Sequence, residues 1–176
     1  EVMLAQMFGV KPFERPHFST RPRLPFYFVW LSELADDFNS AFGLTWHELA
    51  PEQPDLAARV KANRATAFLV DDEVHETPVE SKEWFMYAVI AAQRRAAGNI
   101  WMVVAGHAGP ATFGAATMVK QISEELPWEV NRTSQVLWVP VKVHVRAGHA
   151  GPNDGDVREV VGSEFAGKPR FWPVEQ

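Results

Sequence analysis

The chain has 176 residues, 47% of them hydrophobic and 12% aromatic, and a net charge of -5. That length and apolar content suit one globular domain with a sizeable core and exclude a disordered chain. The acidic balance disfavours a broad groove for duplex nucleic acid, and the absence of cysteine excludes disulfides, thiolate metal sites and a cysteine nucleophile.

No apolar run approaches the ~20 residues of a membrane span, so no membrane partner is expected. The opening EVMLAQMFGV lacks the basic segment of a signal peptide, and a cytoplasmic location is the expectation. Residues 11–25 hold four prolines and five basic residues, counting His17. Prolines at that density prevent a helix. It reads as an extended surface loop in which Arg15, Arg21 and Arg23 are candidate phosphate or partner contacts; residues 1–10 are apolar and read as a helix turn or a docked strand, and 1–25 together form an N-terminal extended arm.

Phe26 to Leu31 is aromatic and reads as a strand. A helix over 32–42 follows, with Ser32 as N-cap, Leu34, Phe38 and Phe42 on its inner stripe and Gly43 as C-cap. Thr45 and Glu48 have the spacing of a capping box, and Asp55–Asn63 reads as a further helix with Leu56 and Val60 inward. Thr66–Val70 reads as a strand closed by Asp71 and Asp72, and 73–80 as a polar loop. Ser81–Ala97 carries the strongest helix signals: an N-cap serine, Glu83 near the start, Arg94 and Arg95 near the end, and Gly98 beyond.

Ile100–Ala105 is a continuous apolar run, as in a strand covered on both faces. The small-residue loop AGHAGP follows, then a helix over 111–126 ended by Pro127. In Val136–Val145, valines alternate with Pro140, Lys142 and His144, so one face is expected buried and the other wet. Pro140 points to an edge strand. Residues 153–176 read as a weakly patterned tail with Phe171 and Trp172 docked on the body. The expected core includes Trp84, Phe85, Val89, Trp101, Val103, Phe113 and Val119.

Strands that alternate with helices predict an α/β, Rossmann-like three-layer domain over 26–152, with a mainly parallel sheet of four or five strands. Ligands of such sheets bind at the carboxyl edge of the strands. Asp71, Asp72, His75, His107 and His149 all fall at expected strand ends or in the loops after them. Gly106, Gly109, Ala111 and Thr112 would supply close approach and backbone amides to an anion, although the loop matches neither standard phosphate-loop motif and no Lys follows it. AGHAGP recurs at 105–110 and 147–152.

The first expectation is therefore binding of a nucleotide or other phosphorylated small molecule by the 106–112 loop. The second is a hydrolase or lyase in which His107 or His149 is general base and Asp72 orients it, with or without a metal; His144-x4-His149-x4-Asp154, with Asp156 nearby, has nitrogen and oxygen donors but matches no established metal signature, and no metal ligand is assigned. The third is a non-catalytic interaction module that uses Trp46, Trp128 and Trp172. No particular cofactor follows from the residues. FLVDDE resembles the acidic start of receiver domains and of haloacid-dehalogenase-type phosphatases. The next strand lacks the receiver's second Asp, and Asp71-Asp72-Glu73 is not the phosphatase's Asp-x-Asp. A serine hydrolase is disfavoured, because His107 stands where its nucleophile would be.

Overall fold

A computed structural model describes residues 2–11, 24–29, 40–62, 65–70, 73–78, 83–125, 134–148 and 158–174. The chain forms two compact units, Glu1–Gln6 with Val10–Ser81, and Met7–Gly9 with Lys82–Gln176. It opens with helix α1 (Val2–Phe8). The architecture is mainly antiparallel β, not a parallel Rossmann-like sheet.

The first unit carries a four-stranded mixed sheet. Strand β1 is Phe26–Val29 and β2 is the short Gly43–Leu44, which runs parallel to it. Two helices follow, α2 (Trp46–Leu49) and α3 (Pro54–Lys61). Strand β3 (Ala65–Val70) then pairs antiparallel with β1, and β4 (Glu73–Pro78) pairs antiparallel with β3. The sheet order is β2-β1-β3-β4. Its core is aromatic: Phe26 stacks on Phe42 with ring centroids 5.0 Å apart, and Phe28 meets Phe68 at 5.1 Å. Offset aromatic pairs of this kind add to the area they bury.

The capping box is present: the Thr45 backbone N–H donates to Glu48 Oε2 at 2.8 Å, which fixes the start of α2. Leu56 of α3 is buried as expected; the Val60 side chain lies outside the described residues. Two expectations change here. Residues 73–78 form a strand rather than a polar loop, and Gly43 is a strand residue rather than a helix cap. The body of the helix expected over 32–42, with Leu34 and Phe38, lies outside the described residues.

The second unit holds a five-stranded antiparallel sheet. Strand β5 is Glu83–Arg94, where the sequence signals favour a helix. Its eight consecutive residues Met86–Gln93 are all buried, which an amphipathic surface helix does not allow. Aromatic and β-branched residues (Trp84, Phe85, Tyr87, Val89, Ile90) suit a strand covered on both faces, and tertiary burial overrides the charges that mimic helix ends.

This one difference inverts the topology. Strand β6 (Ile100–Gly106) folds back on β5 through a short turn in which Gly98 adopts φ 85°, so a hairpin replaces a crossover and the pairing is antiparallel. Helix α4 (Gly109–Thr117) follows, and a break at Met118 separates it from α5 (Val119–Glu125). Strand β7 (Gln135–Ala147) pairs with β5 on one side. On its other side lie β8 (Arg158–Phe165) and β9 (Arg170–Pro173), so the segment read as a weak tail supplies two strands.

Strand β7 is therefore central, not an edge. Pro140 is tolerated because of the ladder's alternation. The His107 N–H donates to the Tyr87 carbonyl at 3.0 Å, so Tyr87, Val89 and Ala91 bond toward β6, and Ala88, Ile90 and Ala92 toward β7. Their β7 partners are Val141, Val139 and Leu137, and Pro140 faces away from β5. There it falls between the end of the β9 register at Trp138 and the start of the β8 register at Val141, so its missing N–H breaks no ladder bond. Its carbonyl still accepts from Ala166 N at 2.9 Å.

One sheet face packs on α4 and α5 through Met86, Ala88, Ile90, Val139, Val141, Val143, Ala111, Ala115 and Ile122. Gly114 permits the close approach: a Cβ there would collide with the Val143 side chain and lie 2.9 Å from Ser163 Oγ. That Oγ donates to the Gly114 carbonyl at 2.9 Å. Of the expected core, Val89 is fully buried and Trp84, Trp101, Val103 and Val119 are half-buried. Phe85 is 40% exposed and Phe113 65%. Phe171 is exposed, while Trp172 is half-buried against Phe8. No helix among the described residues is long and apolar enough to cross a membrane.

Candidate functional site

The turn from β6 to α4 holds five of the residues singled out by sequence. Gly106 is packed so tightly that a Cβ would lie 2.5 Å from Thr112 N and 2.8 Å from the Ala111 carbonyl carbon. Its N–H donates to Thr112 Oγ1 at 3.0 Å, and that hydroxyl also donates to the Ala108 carbonyl at 3.3 Å. The Thr112 N–H is held by the same carbonyl at 3.0 Å, and Ala111 is fully buried. The amides expected to converge on an anion are thus spent inside the turn or closed off from solvent. Gly109 differs, being exposed with open space around its α-carbon.

His107 is 7% exposed, and burial lowers its pKa from 6.5 to about 4. A charged imidazole loses its hydration there, so the ring is neutral at pH 7. Asp71, Asp72, His149, Asp154, Asp156 and Trp128 lie outside the described residues, as do Arg15, Arg21 and Arg23. His75 sits on β4 in the first unit, paired with Phe68. The Trp46 ring lies tilted against His47 with centroids 3.4 Å apart, and Lys61 Nζ is 4.5 Å from the Trp46 ring centroid. Among the described residues no group of three His, Asp or Glu could hold a metal ion.

A different site lies on the other face of the second sheet. One half of that face is closed, with Val89, Ala91, Gln93, Val136 and Trp138 buried. Toward the far end of β5 and β7 it opens into a concavity of about 300 Å³, lined by Phe85, Lys142, His144, Gly162, Ser163 and Glu164. Cross-strand register builds it: Phe85 lies opposite His144, and His144 opposite Gly162. The register of β8 shifts between His144 and Val145, which leaves Val161 as the extra residue of a bulge. Bulges commonly re-aim side chains beside sites.

The polar groups are arranged in pairs. Lys142 Nζ lies 3.8 Å from the Phe85 ring centroid and 3.3 Å from Glu164 Oε1. His144 tilts against Phe85 at 5.1 Å and places Nε2 3.3 Å from Glu83 Oε2. Tyr87 borders the site; burial first, and then the Glu164 carboxylate, raises its pKa. At the rim Arg146 and Glu159 bond at 2.9 Å, which raises the guanidinium's pKa and lowers the carboxylate's. Gly162 leaves the floor open, since a Cβ there meets nothing within 4 Å. Alternation in Val139–Val145 marks this face as wet, but nothing local signals that β5 and β8 flank it.

The chain was compared with protein-family models, curated proteins and solved structures, and none of them matches it.

Proposed function

We propose that the second unit binds a small ring-bearing phosphorylated ligand, a nucleotide, in the concavity between β5, β7 and β8 rather than in the 106–112 loop. One observation carries the reading: an exposed aromatic ring stands beside an adjacent donor and acceptor, Phe85 with Lys142 and Glu164, over a floor that Gly162 leaves vacant. The volume falls at the lower end of small-molecule sites. A flat heterocycle meets the exposed edge of Phe85, whose face Lys142 covers, and its own edge donates to Glu164 and accepts from Lys142, while His144 and Arg146 of β7 line the path for phosphate. Among the described lining residues the one hydroxyl, Ser163 Oγ, is committed to the Gly114 carbonyl, so binding rather than turnover is the reading they support.

The experiment is calorimetric titration with nucleoside monophosphates, the parent nucleosides and inorganic phosphate, on the full chain and on Gly162→Val. Valine suits a strand, has space for its Cβ, and projects into the concavity. The expected result is saturable binding of at least one monophosphate, weakened ~10-fold or more by Gly162→Val at unchanged melting temperature. Absence of binding across the panel, or binding indifferent to Gly162→Val, overturns the reading.

A further inference from the structure

Among the described residues, strand β6 is an edge. The sheet order is β6-β5-β7-β8, and among the described residues β6 pairs only with β5. Proteins usually blunt such edges with charges, proline or bulges. The opposite edge, β8, has them: Arg158, Glu159, Glu164 and the bulge at Val161. Ile100–Gly106, IWMVVAG, has none.

The ladder's alternation identifies the outward groups. The His107–Tyr87 bond sets Trp101, Val103 and Ala105 toward β5, so Ile100, Met102, Val104 and Gly106 direct their N–H and C=O groups outward. The Gly106 N–H confirms this parity, since it reaches Thr112 Oγ1 rather than β5, and it is thereby already engaged. At the other end the chain turns away: Arg95 N donates to the Asn99 carbonyl at 2.7 Å. The outward groups therefore run from Ile100 to Val104, bounded equally on both sides of Met102.

From this geometry we infer that β6 pairs antiparallel with β6 of a second copy of this chain, about a two-fold axis at Met102. That register alone uses all three outward residues without calling on Gly106 or the turn. Met102 faces its symmetry mate and Ile100 faces Val104, giving about six backbone hydrogen bonds. Trp101 then lies opposite Val103 at the closer, non-hydrogen-bonded positions, and aromatic–β-branched pairs are favourable there. Arg95 already rests 4.2 Å over the Trp101 ring and steadies it. No charge on the strand opposes its own copy, and an isologous contact of this kind closes as a dimer.

The test is sedimentation velocity of the full chain over a range of concentrations, with Met102→Lys, Met102→Glu and their equimolar mixture. The expected result is a reversible dimer, weakened by about ten-fold or more in each variant alone by like charges across the axis, and restored in the mixture. A second readout does not depend on those variants folding. The chain has no cysteine. A short bifunctional thiol reagent should cross-link Met102→Cys into dimers and leave Val161→Cys, on the opposite edge, monomeric. A parent chain that stays monomeric at every concentration overturns the inference, as does a dimer in which Met102→Cys fails to cross-link.

Discussion

Replacing Gly106 by alanine tests whether that glycine serves packing rather than anion binding. The added Cβ would lie 2.5 Å from Thr112 N and 2.8 Å from both the carbonyl carbon and the Cβ of Ala111. These are atoms at the start of α4, held by the fold, so the helix must shift by several tenths of an ångström or more. Overpacking of this kind costs typically ~1–3 kcal/mol. The shift also strains the Gly106–Thr112 hydrogen bond, worth about 1 kcal/mol. Against this, alanine restricts the unfolded chain and returns about 0.4–1 kcal/mol. The balance is a loss of roughly 1–3.5 kcal/mol. Urea unfolding followed by circular dichroism should show a lower midpoint with unchanged slope. Gly109→Ala, three residues on, has open space and should be neutral or slightly stabilising. Equal stability of Gly106→Ala and the parent would refute the packing argument.

Gly114→Ala sets helix propensity against contact. Alanine gains up to about 1 kcal/mol in a helix, but the Cβ meets the Val143 side chain and Ser163, so a net loss of ~1–2 kcal/mol is expected in the same assay. His107 predicts a pH dependence. Its folded pKa of about 4 lies below the ordinary 6.5, so its contribution is complete above pH 6.5. Below that the unfolded state binds a proton that the folded state refuses, and stability falls progressively toward pH 4, by about 3 kcal/mol in all. His107→Gln should flatten the stability difference between pH 7 and pH 4; an identical pH profile in both chains would sink the assignment.

Local chemistry was legible in the sequence wherever it is settled by neighbours in the chain. The capping box of Thr45 and Glu48, the strands at 26–29, 65–70, 100–106 and 135–147, the helix after Gly109 and the wetter positions Lys142 and His144 of β7 all follow from residue type and period, whereas Pro140, expected on the same wet face, is buried. Glu83–Arg94 has a serine before it and charges at its ends that imitate helix caps, while the burial of Met86–Gln93 depends on distant partners: β6 and β7 flank the strand, and α4 and α5 cover the face of Met86, Ala88 and Ile90. A single segment moved from helix to strand turns a crossover into a hairpin and a parallel sheet into an antiparallel one.

The concavity was beyond reach for the same reason. Phe85, His144 and Gly162 come from three strands, and only cross-strand register brings them together. The sequence by itself determined which residues prefer strands, caps and turns, since those preferences act over a few bonds. Tertiary structure alone decided the direction of pairing, the place of Pro140 in a central strand and the closing of the 106–112 turn upon itself, because each depends on which distant backbone groups are left to be satisfied.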